Sequence, residues 1–373
     1  MGRQPNEFLS APDSMAPSSL RIDPNGSLTD VEGLSVGQYQ RIGRGWRTGT
    51  TVVLAPAGAT AGVDVRGGGP GTRETDLLRP ENVVQQVHGI CLTGGSAYGL
   101  AAATGVMQWL EARSIGFSVG PAAHQIVPIV PAAVIFDLGR GGNFTHRPDA
   151  EFGFRAANKA RRSAEANGSV GGGTGAVAGG LQGGVGSASV RLSNGVVISA
   201  LAVVNAAGSL VNPSTGLPWE SDAHQLRKPT RDQHRALLAA ITPEPGAAPR
   251  SLNTTIGVVA TSARLTKAEC TKVASVSHDG MARAIRPVHS MFDGDSVFTL
   301  ATGIHELPGS DVVGFRDERS RAAALNRILD AAAQCFAAAC TQALLSATFV
   351  GGAPAYRDLC PQVITMSSSR LGR

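Results

Sequence analysis

Two apolar, strand-like runs, residues 187–192 and 196–204, close on Ser193-Asn194-Gly195. An Asn-Gly pair between such runs is the strongest short-range hairpin signal, because the tight turn needs positive φ at both central residues. A hairpin in mid-chain also needs a larger sheet to join, and the sequence supplies one. Runs at 51–54, 126–136, 255–261 and 296–301 read as buried strands. Between them, residues 97–113, 152–166, 231–241, 267–285 and 318–345 carry helix-forming patterns. Strands and helices alternate throughout, so the fold class is α/β or α+β. No internal repeat is visible.

The bulk composition narrows the function classes. With 373 residues, 42% hydrophobic and 16% charged, the chain can bury a sizeable core. The net charge of +5 is small, and Lys and Arg are scattered, so no nucleic-acid partner is expected. Five cysteines, odd in number and without CxxC spacing, predict neither a metal site nor a disulfide framework. They read as reduced thiols of a cytoplasmic protein. No apolar signal-peptide core opens the chain, and the run at 126–136 is too short to span a membrane. The glycines at 171–175 fit a dinucleotide-binding loop loosely. The preceding stretch, 164–169, is not an apolar strand, so no cofactor is expected. His88, His124 and His289 stand alone and read as core or surface residues.

Residues 1–27, rich in Pro, Ser and Asn, read as a mobile tail before a single catalytic domain at 28–373. Within that domain, residues 242–250 (TPEPGAAPR) form the clearest linker. The linker leads into Asn253-Thr254-Thr255 and a strongly apolar strand. A Thr opening a strand behind a linker can attack the carbonyl just before it. The amide becomes an ester, water opens it, and a new N-terminal Thr results. Its hydroxyl then lies beside a free α-amine of pKa about 7.7–8.0, a general base near neutral pH. Cleavage between Asn253 and Thr254 would give an α chain, 1–253, and a β chain, 254–373. Asn253-Thr254-Thr255 also matches a glycosylation sequon, a reading that needs a secretory signal.

Two further features bear on this chemistry. Asp293-Gly294-Asp295 precedes the strand at 296–301, and extended backbone there puts both carboxylates on one face. Such a pair can orient a Thr hydroxyl, hold its ammonium or accept a substrate proton. Asn205 ends the apolar strand at 196–204 and can offer its side-chain amide to an oxyanion.

Taken together and in order, five segments resemble the DmpA family of L-aminopeptidases/D-esterases, peptidase family S58. They are VDVRGGGPGTRETDLL at 63–78, ICLTGGSAYGL at 90–100, GGGTGAVAGG at 171–180, NTTIGVVAT at 253–261 and RPVHSMFDGD at 286–295. The likeness runs from about residue 28 to about 345. Asn-Thr-Thr and Asp-Gly-Asp are most similar to the nylon-oligomer (6-aminohexanoate-oligomer) endohydrolase of that family. The resemblance implies two β-sheets sandwiched between helix layers, an αββα arrangement of N-terminal-nucleophile type. It implies Thr254 as nucleophile, Asp293 and Asp295 as its acidic supports, and Asn205 on the oxyanion side. It also implies small peptide or amide substrates and a tetramer of αβ heterodimers. Two substrate-pocket positions depart from the family pattern. Phe136 stands where several members carry Tyr, and Gln182 lies where a Lys is expected. Two rival readings stay open: an acyltransferase of the ornithine acetyltransferase type, and a family member that binds amides with little turnover.

Overall fold

The computed structural model describes residues 20–242, 253–308 and 315–363, and no side chains of 315–319. Its strands are β1 (Ser35–Gly43), β2 (Trp46–Val65), β3 (Thr72–Arg73), β4 (Gln86–Thr93), β5 (Phe117–Ser118), β6 (Ile126–Val127) and β7 (Ala132–Val134), then β8 (Val177–Ala178), β9 (Leu181–Gln182), β10 (Gly184–Arg191), β11 (Val197–Asn205), β12 (Thr254–Ala263) and β13 (Ser296–His305). The helices are α1 (Ser96–Gly99), α2 (Ala102–Glu111), α3 (Ala150–Asn158), α4 (Arg231–Ile241), α5 (Lys267–Ala284), α6 (Phe315–Ser346) and α7 (Tyr356–Leu359).

Nine strands join one hydrogen-bonded path, β10-β11-β12-β13-β2-β4-β7-β3, with β1 added to β2. The path is bent at β2. This strand is 20 residues long, and its pairing with β4 shifts between Leu54 and Ala59. Its first half pairs with β1, and its second half pairs with β13. The two expected sheets are therefore two halves of one path, folded face to face.

The period-2 alternation of strands sorts the core into layers. Val53, Ile90 and Leu92 from one half meet Leu201, Val203, Ile256, Val258 and Phe298 from the other in the central cluster. On one outer face, Val52, Leu54 and Cys91 pack under α2 and α3. On the other, Ile198, Ala200, Val259 and Val297 pack under α5 and α6. That is the αββα order. At about 25 cal/mol per Å2, each fully buried Val, Leu or Phe contributes roughly 1.5–3 kcal/mol, so this double-sided core is the main source of stability.

The Asn-Gly hairpin forms as β10 and β11. Helix α4 starts at a capping box of Thr230 and Gln233, and α5 at one of Thr266 and Glu269. Helix α6 is long and apolar enough to cross a bilayer by length and composition. Yet 78% of that apolar window is buried inside the fold, which makes α6 a core helix.

Several local expectations are overridden. The run at 126–136 splits into β6 and β7 because Pro128 and Pro131 cannot donate to a ladder. The helix expected over 152–166 is α3, which ends at Asn158. Beyond it, Arg161 pairs through its backbone with Val36 on both sides, at 3.0 Å each. The tail expected over 1–27 is ordered in its last part. Asp23 pairs with Ser189, and Leu20 and Ile22 pack on the core. Residues 1–19 lie outside the described residues, as do 243–250 of the expected linker.

Candidate active site

The topology brings four strand ends to one edge of the sheet. Strands β12 and β13 are parallel, with Ile256 opposite Ser296, so both begin at the same edge. Strand β11 is antiparallel to β12 and ends there, with Asn205 opposite Thr254. Strand β2 is antiparallel to β13 and also ends there, with Val65 opposite Ser296. The glycine loop after β2 then folds over the Asp293 turn. Gly69 N donates to Asp293 O at 2.8 Å, and Arg66 N to Asp295 O at 2.9 Å.

Thr254 is the first residue of β12 and is 5% exposed. By alternation its side chain lies on the Ile256 face, between the two halves of the sandwich. Its hydroxyl donates to the Asn253 carbonyl across the peptide bond that joins them. Gly294 N lies 3.2 Å from Thr254 Oγ1 and 3.2 Å from Asn253 O. One backbone N–H thus faces both the attacking oxygen and the carbonyl it would attack. A Cβ at position 294 would lie 2.9 Å from Thr254 Oγ1 and 2.9 Å from Gly69 O, so only glycine fits this approach. Thr255 points to the opposite face, and its hydroxyl has no partner among the described residues.

The two aspartates are buried and do different work. Asp295 Oδ1 accepts from Thr255 N at 2.7 Å. Its Oδ2 accepts from His289 N at 3.1 Å and meets His289 Nδ1 at 2.8 Å. Asp295 therefore fixes the backbone one residue beyond Thr254. Asp293 Oδ2 accepts from Ser290 N at 2.9 Å and from Ser290 Oγ at 2.6 Å. Among the described residues, its Oδ1 makes no hydrogen bond. His289 read as an isolated core or surface residue, but its side chain meets Asp295. Ser290 gave no signal of its own beyond lying in the 286–295 segment.

Asn205 is wholly buried. Its Oδ1 accepts from Val177 N at 3.0 Å and from Arg140 Nη1, which turns its amide nitrogen the other way. That nitrogen donates to Phe136 O at 3.3 Å and keeps a second hydrogen. Phe136 thus touches the site through its backbone. Gln182 is a brace: its Nε2 donates to Ala176 O at 2.8 Å, steadying the segment whose Val177 N–H holds Asn205. The structure therefore gathers Asn253, Thr254, Asp293, Asp295 and Asn205 at one edge, with Phe136 and Gln182 behind.

Behind Asn205 lies a charged cluster that the sequence did not disclose. Asp137 is buried, and its Oδ1 accepts from Gly95 N at 2.7 Å. Burial pushes its carboxyl from 3.8 up to about 6, against the pull of Thr48, Gly95, Arg140 and Arg47. Burial likewise lowers Arg140 to about 10. The folded protein binds the Asp137 proton more tightly than the unfolded chain does. Its stability contribution is therefore present below pH 4 and lost as pH rises through about 6. Two pKa units correspond to about 3 kcal/mol. Asp137→Asn, neutral at every pH, is expected to flatten the melting temperature between pH 4 and 6 and to raise it at pH 7. A variant that melts lower at pH 7 would mean that the ionised carboxylate stabilises the fold through Arg47 and Arg140.

The family model of peptidase family S58 matches residues 26–356. An uncharacterized aminopeptidase of Mycobacterium tuberculosis (strain ATCC 25618 / H37Rv) is 49% identical over 346 residues, covering 90% of this chain and 98% of its own. A 6-aminohexanoate-oligomer endohydrolase of Kocuria sp. (strain KY2) is 32% identical over 290 residues, covering 75% and 76%. Among solved structures, the L-aminopeptidase D-Ala-esterase/amidase of Ochrobactrum anthropi matches with a TM-score of 0.65 at 20% identity, over 94% of this chain and 93% of that one. That structure is described as a new variant among the Ntn hydrolase fold, and the likeness establishes the same fold here.

Proposed function

This chain belongs to peptidase family S58, and from that premise we propose that it is a self-processing amidohydrolase with Thr254 as its nucleophile. Membership makes it a hydrolase of peptide or amide bonds. The observation that carries the finer reading is the contact at the start of β12. The Thr254 hydroxyl lies on the Asn253 carbonyl, with Gly294 N–H beside both oxygens.

In the first reaction Thr254 Oγ1 bonds to the Asn253 carbonyl carbon. The C–N bond breaks, and the hydroxyl proton ends on the freed amine. Gly294 N–H faces the carbonyl oxygen on which charge develops. Water then hydrolyses the ester, which returns the Thr254 hydroxyl and leaves Asn253 as a carboxylate. In the second reaction the Thr254 hydroxyl gives its proton to its own α-amine and attacks a substrate amide. The leaving amine takes that proton, and water opens the acyl-enzyme. Asn205, with its amide oxygen pinned, presents N–H to the oxyanion side. Asp293 and Asp295 place the Thr and its amine. A hydrolase requires that water, rather than an acceptor amine, take the acyl group. The absence of a second acceptor in the assay is therefore part of the test.

The tetramer of αβ units belongs to this proposal and is read by light scattering on the purified protein. A cytoplasmic setting is supported by Cys91, Cys270, Cys335, Cys340 and Cys360, all buried and unpaired.

The purified protein should run as two bands on a denaturing gel, the smaller beginning Thr-Thr-Ile-Gly. It should release amine from at least one member of a panel of L-, D- and β-aminoacyl amides and 6-aminohexanoyl oligomers. A single 38.2 kDa chain in an active preparation would overturn self-processing. Saturable binding of these amides by processed protein, without turnover, would favour an amide-binding protein instead.

A further inference from the structure

A cavity of about 230 Å3 opens beside the scissile bond, lined by Arg47, Arg140, Gly179, Gly180, Ala206 and Asn253. It is smaller than the roughly 300–1,000 Å3 of drug-sized ligand sites, so it suits a short group. Its place in the chemistry follows from Asn253. Thr254 first attacks the Asn253 carbonyl, so the acyl part of any later substrate takes the position Asn253 held. The cavity wall around Asn253 is therefore the wall that meets a substrate's acyl group.

That wall is cationic. Arg47 is only 9% exposed, and its Nε is buried with no hydrogen-bond partner. No hydrogen bond or ion pair of the Arg47 guanidinium occurs among the described residues. A Cβ at position 352 would lie 2.2 Å from Arg47 Nη1, so Gly352 leaves the guanidinium its space. Arg140 also lines the cavity, though its Nη1 is committed to Gly175 O at 2.8 Å and to Asn205. Among the described residues, no carboxylate lines the cavity. Asp137, the counter-charge of both arginines, sits behind them with one oxygen on Gly95 N. Two guanidiniums against one carboxylate leave a net positive site. A buried guanidinium without a partner is costly alone and is relieved by a planar anion, which it can bind through two parallel N–H donors.

Resting on the amidohydrolase reading above, we propose that this cavity is an acyl subsite for a carboxylate. The favoured substrates are amides whose short acyl group ends in an anionic carboxyl, as in the monoamide of a four- or five-carbon dicarboxylic acid. Arg47 takes that carboxylate, and Arg140 adds charge while holding Asn205. A substrate ammonium in the same place would meet two like charges.

The test uses processed protein and three 4-nitroanilides matched in length: those of succinic acid (anionic), succinamic acid (neutral) and β-alanine (cationic). The anionic anilide should exceed the neutral one in kcat/KM by about 10–100-fold, the range of a charge-assisted hydrogen bond to one buried partner, and the cationic one should be the poorest. Arg47→Gln should collapse the anionic-to-neutral ratio, and Arg47→Lys should restore part of it. Calorimetry with 4-oxopentanoate, which keeps the carboxylate but has a ketone in place of the scissile amide, and with uncharged 2-pentanone reads the subsite without turnover and does not depend on a variant that folds. Hydrolysis of all three anilides without preference for the anion, or with preference for the cation, would overturn the subsite and leave the hydrolase standing. Arg47-dependent binding of 4-oxopentanoate with no hydrolysis of any anilide would do the reverse. Neither binding nor hydrolysis would remove both.

Discussion

Thr254→Ala should give one uncut chain with no amidase activity. The variant removes the hydroxyl that contacts the Asn253 carbonyl. In well-studied hydrolases, loss of the nucleophile costs on the order of 10^6 in kcat, and a loss of that order is expected here. Thr254→Ser keeps a hydroxyl at the same position, so it should still cut and turn over. Thr255→Ala is the control for register. Thr255 faces away, its hydroxyl has no partner among the described residues, and its backbone N–H to Asp295 survives the change. Its loss should cost roughly 1 kcal/mol of stability from buried apolar surface and spare both reactions. The checks are fraction cleaved against time and amine release from the best amide. If Thr255→Ala abolished both and Thr254→Ala spared them, the register would be wrong by one residue.

The two proposed reactions share one geometry because of how β12 enters the sheet. Parallel pairing with β13 sets the Asp293 turn level with Thr254, and antiparallel pairing with β11 sets Asn205 opposite it. Neither pairing is written near Thr254 in the sequence. Local pattern revealed the Asn-Gly hairpin, the apolar run of β12, and helices α4 and α5, where hydrophobic period and caps agree with the fold. It misread 126–136, where two prolines sit in a β-branched run. It misread 152–166, where a backbone pairing with Val36 ended a good helical sequence early. In the first the prolines broke the ladder, and in the second a tertiary contact outweighed propensity. That is the usual reason such readings fail.

The site divides in the same way. Thr254, Asp293, Asp295 and Asn205 each had a modest local signal and were joined by resemblance. Arg47, Asp137 and Arg140 had none that was read, because they come from separate segments and meet only through the sandwich. One clue was present: Asp137 follows the apolar run Ala132-Ala133-Val134-Ile135-Phe136. An ionisable residue that continues a buried run is a candidate for a perturbed group in a site. His289 also looked ordinary until Asp295 was placed beside it.

Asp293→Asn should bring the second large loss, because among the described residues Asp293 keeps an uncommitted acceptor and Asp295 keeps none. In Asp295 both oxygens are committed, to Thr255 N and to His289, so its work is to hold the strand. In Asp293, among the described residues, only Oδ2 is committed, to Ser290. Asn at 293 can still accept from Ser290 with its one oxygen, but it turns an NH2 toward the position of Oδ1. It then cannot take a proton or hold the ammonium of a freed Thr254. General acid–base contributions of this kind amount to about 10^2–10^4 in rate, and a loss in that range is expected for kcat, with KM changed little. Asp295→Asn should differ in kind. Its amide cannot accept from both Thr255 N and His289 N, so a buried donor loses its partner at a cost of about 1–3 kcal/mol. The melting temperature should fall, and processing should slow with it. The pair is separated by measuring kcat, KM and melting temperature on both variants. Asp293→Asn with a lowered melting temperature and an unchanged kcat would reverse the two roles. Ser290→Ala, which removes only the hydroxyl on Asp293 Oδ2, should then reproduce that stability loss rather than a rate loss.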